Sequence, residues 1–166
     1  MRKCYFQNRL LYKNWSSQLR VKSQRYAFVL IADEKYWRRL CERNRTNREI
    51  HVFVRKNLVG PRETQKLLFY VKKPIMQVRG VADFIERIVG DSEELWRKHG
   101  KESCFESYDE YASFAESREK MTFVRFTNFR ELENPKDIEI TRAVLGSFVW
   151  FRPKYLRFEA AEQLIT

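Results

Sequence analysis

The chain has 166 residues, is 43% hydrophobic and carries a net charge of +11, which together indicate one well-packed basic domain rather than a disordered chain. No apolar run reaches the ~18 residues of a transmembrane helix, and no apolar segment typical of a secretory signal follows the basic N-terminus. Cys4, Cys41 and Cys104 lie far apart, which argues against a disulfide framework or a zinc site and predicts a reducing, cytoplasmic location.

The positive charge is distributed unevenly along the chain. The first 25 residues hold seven arginines and lysines and no acid, so the remainder contributes only +4. We interpret residues 1–24 as a basic N-terminal arm or extension, for which an organellar presequence is an alternative, and residues 25–166 as the folded domain. Residues 88–119 are acidic, with nine acids against four bases. A polarised charge of this kind suits a protein that binds a polyanion with one face, although an ordinary solvated surface also explains it.

The first half of the domain predicts one helix among several strands. The apolar run 25–32 is a buried strand, and Asp33 is a suitable N-cap for the helix that follows it. Alternating or apolar segments at 50–56, 66–73 and 76–90 predict three more strands. Gly80, inside the last of these, indicates a bulge or a close approach of another group to the backbone.

The second half predicts two helices, two strands and a closing helix. Asp91 begins a helix that Gly100 ends, and Ser107 begins a capping-box helix that continues to about Arg118. Residues 120–132 and 155–158 are then strands, and a short helix ends the chain. Antiparallel-compatible strands with inserted helices predict an α+β fold, built as a small mixed β-barrel, closed or half-closed, with peripheral helices.

The stretch KMTFVRFTNFREL, residues 120–132, mixes aromatic and arginine side chains in a way that could stack RNA bases. It resembles a degraded RNA-recognition-motif signature, but both glycines are missing and the order of elements is wrong for that fold. We therefore interpret it first as a strand, with Val124 and Phe126 inward and with Phe123, Arg125 and Thr127 on the other face.

Signals for catalysis are weak. His51 and His99 have no partners at metal-ligand spacing, and no nucleotide-binding or hydrolase motif occurs. Cys104 near His99 could form a thiolate–imidazole pair, but a structural cysteine explains it better. The sequence thus predicts no catalytic residue, no metal and no cofactor.

Two tryptophans are better candidates for a site. Trp96 and Trp150 are each flanked by arginine or lysine, an arrangement that suits stacking on a planar base, although core packing is the alternative. Asn128 and Arg130 could read a base edge beside such a pocket.

From about Arg25 onward the chain resembles the PUA-like superfamily, which includes the PUA, ASCH, EVE and YTH domains, and it is most similar to an uncharacterised archaeal family of that group. The resemblance lies in YAFVLIADEKYWRRL, KLLFYVKKP, VRGVADFIERIVGDSEELW, ESYDEYASFAESREKMTFVRFTNFREL and FRPKYLRFEAAEQL. It implies a small mixed barrel that binds structured or modified RNA, such as tRNA or rRNA, in a cleft. The ASCH signature Gly-x-Lys-x-x-Glu-x-Arg is absent, so its loop cannot be transferred to this chain.

These observations favour an RNA-binding module that is not an enzyme. Trp96 and Trp150 are the candidates for stacking, and phosphate contacts are predicted for Arg55, Lys56, Arg62, Arg79, Arg125, Arg130, Arg152 and Lys154. One alternative is a small ASCH-like hydrolase of nucleosides or RNA, with a lysine and a glutamate enclosed in the cleft. Another is a protein-interaction module that uses the acidic helices 91–118. The sequence leaves the oligomeric state open.

Overall fold

The computed structural model describes residues 24–145 and 154–166, which form one six-stranded mixed sheet with helices on both faces. The elements are β1 Ala27–Ala32, α1 Glu34–Asn44, β2 Ile50–Arg55, β3 Lys66–Val71, β4 Gln77–Asp91, α2 Ser92–His99, a 3-10 turn Gly100–Glu102, α3 Tyr108–Ala115, β5 Lys120–Lys136, α4 Ile138–Leu145, β6 Tyr155–Leu156 and α5 Phe158–Ile165. The predicted strands and helices are confirmed, but the strand expected at 155–158 ends at Leu156, and α4 was not predicted. None of the described helices is long and apolar enough to cross a membrane.

The strand order is β2-β5-β4-β3-β1-β6, in which β1 and β3 are parallel and the other neighbours are antiparallel. This confirms the α+β class. The predicted barrel is not confirmed, because within the described residues β2 and β6 are the two edges of an open sheet and do not pair with each other. The β4–β5 ladder changes register three times, and such irregularities bend strands, so this long pair curves without closing the sheet.

Both faces of the sheet are covered. On one face, α1 packs Trp37 against Phe69, Phe126 and Phe129. On the other face, α4 and α5 cover the side of β1 and β3 that carries Tyr70. This packing explains why β1 and β3 are apolar along their whole length.

The stretch that begins at Lys120 is β5, with the alternation that the sequence predicts. Val124 and Phe126 face α1, as expected. The opposite face is not open, however, because Phe123 is fully buried and its ring contacts Tyr111 of α3 edge-on at 5.9 Å between centroids. These aromatic side chains form core, and the helices α2 and α3 occupy the space that a stacked base would need.

Gly80 is a bulged position in β4, as predicted, since the β4–β5 register shifts between Val78 and Gly80. A Cβ atom at this position would lie 2.6 Å from Cη2 of Trp37 and 3.1 Å from the Phe129 ring. The missing side chain therefore lets α1 pack closely onto the sheet and fixes the position of Trp37.

The helix caps are largely those expected from the sequence. Asp91 accepts a hydrogen bond from the Glu94 amide at 2.8 Å, and Ser107 accepts one from the Glu110 amide at 3.2 Å. Asp33 is the N-cap residue of α1, but its side chain makes no capping bond. Helix α3 ends at Ala115, three residues early, because Glu116 adopts a left-handed conformation with φ 53°.

Candidate nucleic-acid interface

A cavity of about 290 Å³ opens where β1 passes into α1, beside the end of β2. Ile31 to Asp33 and the first turns of α1 form one side, and Phe53 to Asn57 form another. Cys104, Phe105 and Phe114 complete it. Such a volume is at the lower end of the ~300–1,000 Å³ range of small-molecule sites, so the cavity suits a small planar group rather than a whole nucleotide chain.

The walls of this cavity are aromatic. Trp37 and Phe126 are buried beneath it, whereas Tyr36, Phe53 and Phe114 are only partly buried. Tyr36 meets Phe114 edge-on, with 5.9 Å between ring centroids. Partly exposed aromatic rings around a small concave space are the surfaces on which a flat, unsaturated ligand stacks.

The rim of the cavity carries positive charge. Nζ of Lys56 lies 4.9 Å from the centre of the Phe114 ring and 2.5 Å from the Glu116 carboxylate. Lys72 bonds the Asp33 carboxylate at 2.9 Å, at the start of α1. Both acidic partners are exposed to solvent, so these surface ion pairs are weak and the lysines can exchange them for other anions at little cost.

Arg55 is the most unusual cation of the rim. Its Nη1 atom is buried and has no hydrogen-bond partner among the described residues. Burial, followed by the nearby Arg87 guanidinium, lowers the pKa of Arg55. A buried guanidinium without a carboxylate is costly, which makes Arg55 a candidate for contact with an anionic ligand.

The structure brings two of the predicted residues, Arg55 and Lys56, to this cavity and places several others elsewhere. Arg62 is exposed, and its backbone amide donates to the Tyr155 hydroxyl at 2.9 Å. Arg79 is half-buried on β4. Lys154 donates to the Leu145 carbonyl at 2.5 Å.

Asn128 and Arg130 line a different hollow, between β4, β5 and α5. The Asn128 amide donates to Asp83 at 2.8 Å, and Lys66 bonds the other oxygen of that carboxylate at 2.5 Å. The lysine and the amide together hold the pKa of Asp83 below its usual value, against the opposing effect of burial. The two predicted base-reading residues therefore do not share a site with Arg55.

Trp96 stacks within the protein. Its ring is 4.8 Å from that of Tyr111 and nearly parallel to it, and Gly100 packs so closely that a Cβ there would lie 2.6 Å from the indole. The core-packing alternative explains these contacts. The other two predicted residues, Trp150 and Arg152, lie outside the described residues.

Arg125 is held by two carboxylates. Its Nε and Nη2 atoms bond the Glu102 carboxylate at 2.8 and 3.0 Å, and Nη1 bonds Glu86 at 2.5 Å. Its side chain is 17% exposed. Phosphate contact by Arg125 stays a prediction, but the observed bonds link β4, β5 and the turn after α2, which is a structural role.

We expect Arg125→Met to lower the free energy of unfolding by about 1–2 kcal/mol, because it removes the bidentate partner of the partly buried Glu102 carboxylate and a second bond to the exposed Glu86. Urea denaturation measures this loss. Arg38→Met is the matched control, since the Arg38 side chain is 71% exposed and pairs only with Glu34 one turn away, and we expect a change within about 0.5 kcal/mol. Equal effects of the two substitutions would contradict a structural role for Arg125.

The two candidate catalytic residues, Cys104 and His99, do not form the thiolate–imidazole pair that their proximity in the sequence suggests. Burial raises the pKa of the Cys104 thiol to about 11, so it is a neutral thiol near pH 7 and a poor nucleophile. His99 instead lies 3.3 Å from the Glu102 carboxylate. Within the described part of the chain, no three His, Cys, Asp or Glu side chains are grouped as metal ligands.

Sequence reasoning missed the aromatic walls. Tyr36 lies on the same helical face as the buried Trp37, so its pattern in the sequence is that of a residue packed on the sheet. Alternation in β2 was the available signal, because Phe53 and Arg55 are two residues apart in one strand and must share a face. An aromatic residue and a cation on the same face of one strand are a pattern that indicates a binding site.

Comparison with known proteins identifies the fold. No protein-family model matches the chain, and no curated protein matches it. The ASCH protein of Zymomonas mobilis superposes with a TM-score of 0.70 at 20% identity, over 85% of this chain and 94% of that chain. A tyrosine-to-phenylalanine variant of it gives 0.70 at 20%, over 85% and 97%, and a serine-to-alanine variant gives 0.68 at 19%, over 86% and 96%.

The chain therefore has an ASCH-like fold. This confirms the resemblance to the PUA-like superfamily at the level of the fold, whereas the predicted link to an archaeal family stays a prediction. At such identity the likeness concerns architecture alone, and function has to be argued from the site.

Proposed function

We propose that this protein binds RNA and holds one unpaired base in the aromatic cavity at the start of α1. The observation that carries the proposal is the combination, in one small cavity, of partly exposed rings from Tyr36, Phe53 and Phe114 with Arg55 and Lys56 at its edge. RNA recognition mostly targets single-stranded regions, whose bases stack on aromatic side chains while cations meet the phosphates.

The lining of the cavity supports this proposal. The rings would provide stacking surfaces, and Lys56 and Lys72, which also line the cavity, would contact the sugar–phosphate chain. The Asp33 carboxylate and the Asn57 amide are at the edge and would bond polar atoms of the base. Phosphate contacts position the chain and the base contacts give selectivity.

Other parts of the proposal rest on the sequence. Residues 1–24 would act as a basic arm that adds salt-sensitive, non-specific affinity. Arg62, Arg79, Arg130 and Arg152 would extend the positive surface. A structured partner such as tRNA or rRNA, a cytoplasmic location and function without a cofactor belong to the same proposal.

The described site gives the two alternatives less support. A hydrolase would require an enclosed lysine–carboxylate pair, yet the pair that lines this cavity, Lys72 with Asp33, has side chains about half exposed. An acidic docking surface at 91–118 has fewer free carboxylates than the sequence suggests, because Glu106 and Glu110 are ion-paired with Arg39 of α1.

The test is fluorescence anisotropy of a labelled single-stranded 12-nucleotide RNA of mixed sequence, and of total tRNA, over a salt series. We expect Phe53→Ala and Phe114→Ala each to weaken binding about 10-fold, since loss of one base–aromatic stack costs ~1–3 kcal/mol. Phe158→Ala is the control, because Phe158 is a 48% exposed phenylalanine on α5, far from the cavity, and should leave the affinity unchanged.

Two results would contradict the proposal. One is the absence of measurable binding of either RNA at low salt. The other is an unchanged affinity in both cavity variants, with circular dichroism showing that they are folded, which would assign RNA binding to another surface.

A further inference from the structure

Two arginine side chains meet at the end of β2 with no acid between them. Nη1 of Arg55 and Cδ of Arg87 would each lie 3.1 Å from a Cβ atom at Gly60, so both side chains reach the same glycine. No carboxylate among residues 24–145 and 154–166 forms an ion pair with either one. By contrast, Arg39 and Arg125 on neighbouring elements each hold two carboxylates.

Hydrogen-bonding groups in this cluster are unsatisfied or form only long bonds. Nη1 of Arg55 is buried without a partner, and Nη1 of Arg87 reaches only the carbonyls of Leu58 and Gly60, at the long distances of 3.5 and 3.4 Å. The hydroxyl of Thr122 is buried and has no partner among the described residues.

The strand register places these donors together. Arg55 pairs with Thr122 across the β2–β5 ladder, and Arg87 pairs with Val124, two residues further along β5. Paired residues of antiparallel strands share a face, and so do residues two apart on one strand. Arg55, Arg87 and Thr122 are therefore neighbours on one face of the sheet, at the end where Arg55 also lines the cavity.

We propose that Arg55, backed by Arg87 and the Thr122 hydroxyl, forms an anion site at the edge of the cavity that takes a phosphate group. Two adjacent guanidinium groups with unused donors form a cluster that an oxyanion completes, because a phosphate oxygen accepts from several donors and cancels their repulsion. The assignment of this phosphate to RNA rests on the proposed function: it is the phosphate next to the base in the cavity.

The proposed anion site predicts that Arg55 does not stabilise the protein in the absence of an anion. Arg39 and Arg125 each bond two carboxylates, whereas the half-buried Arg55 lies beside Arg87 and has no carboxylate partner among the described residues. Arg55→Gln is therefore expected not to lower the unfolding temperature in chloride buffer.

The first experiment is thermal unfolding of the full chain in inorganic phosphate and in chloride at equal ionic strength. Phosphate stabilises many proteins by exclusion from their surface, so the informative quantity is the difference between variants. We expect phosphate to raise the midpoint of the wild-type protein and of Arg38→Gln by the same amount, and that of Arg55→Gln and Arg87→Gln by clearly less. An equal rise in all four proteins overturns the site.

The second experiment measures RNA affinity against salt for the same four proteins. Loss of one phosphate contact reduces the slope of log affinity against log salt by about 0.7. We expect that reduction in Arg55→Gln and not in Arg38→Gln, whose side chain is exposed.

The two experiments separate the two proposals. A selective phosphate effect in a protein that does not bind RNA supports the anion site and overturns the RNA function. RNA binding that requires Phe53 but has an unchanged salt slope in Arg55→Gln, with equal phosphate effects in all variants, overturns the anion site and leaves the RNA function standing. If Arg55→Gln proves unfolded in chloride, the stability prediction is wrong, and Arg87→Gln still decides between these outcomes.

Discussion

Gly80→Ala is expected to destabilise the protein by about 3 kcal/mol, the upper end of the usual cost of overpacking a core. The added methyl group would lie 2.6 and 2.8 Å from two atoms of the Trp37 ring. That ring cannot move aside easily, because it is 4% exposed and packs against the rings of Phe69 and Phe129 on the sheet. Guanidinium denaturation followed by tryptophan fluorescence measures the loss.

The same strand offers a matched control in Gly90→Ala. A Cβ atom at Gly90 would meet Leu95 at 3.7 Å or more, which is ordinary contact. Alanine is intrinsically better than glycine in a strand by ~0.5–1 kcal/mol, so Gly90→Ala should be neutral or slightly stabilising. Trp37→Phe, which shortens the ring, should partly relieve Gly80→Ala in a double-mutant cycle. Equal stability of the two alanine variants would contradict this account of α1 packing.

The folded protein is expected to lose stability as the pH falls from 7 towards 5, because His51 is buried in its neutral form. His51 is 1% exposed and stacks on Phe126 with 5.6 Å between centroids. Burial, followed by the charge of Arg48, lowers its pKa to about 4. The pKa of a histidine in the unfolded chain is about 6.5, so below that pH His51 binds a proton in the unfolded chain but not in the folded one.

The sign and size of this effect follow from the two pKa values. The full stability is present above about pH 6.5, falls by about 2 kcal/mol on reaching pH 5, and levels off below about pH 4. Glu110, whose pKa is lowered to about 2 by bonds from the Glu106 amide, Lys35 and Arg39 that outweigh burial, acts in a separate window, since its contribution is lost only below about pH 4.5.

Urea denaturation at pH 7.5, 6 and 5 tests the prediction. His51→Phe keeps an aromatic ring against Phe126 and removes the titrating group, so its stability should change little over this range. His99→Gln is the comparison, because it removes the other histidine of the chain and leaves His51 and its contact with Phe126 in place, so the pH dependence that His51 causes should persist. A flat profile in the wild-type protein, or a slope that survives in His51→Phe, would be inconsistent with a buried neutral His51.

The local structure was predictable because each signal acts over a few residues. The caps at Asp91 and Ser107, the alternation of β5 and the demand for glycine at position 80 depend on short-range geometry, and the structure confirms them. The role of Phe123 was not predictable in this way. Its alternation was correct, but the sequence does not show that α2 and α3 fold over that face of the sheet.

The site was only partly predictable, for a related reason. The prediction of Arg55 and Lys56 as site residues rests on their charge, and the structure places both at the cavity. Charge alone cannot distinguish Arg55, which has no acidic partner in the described part of the chain, from Arg125, which has two. The two carboxylates of Arg125 come from residues 86 and 102, which are distant in sequence. Trp96 shows the same limit, since its partner Tyr111 is brought to it only by the packing of α3 against α2.

The close packing of Trp37 on Gly80 also restricts Tyr36, its neighbour in α1. Tyr36, one residue earlier, lines the cavity, so the rotation of α1 that would open or close that side is blocked by the indole ring lying on the backbone of β4. We therefore expect the packing of α1 on β4 to fix the shape of this side of the cavity. A ligand that matches this shape would lose little binding free energy to ordering of the helix. A ligand that does not match it would bind only if the packing of α1 changed.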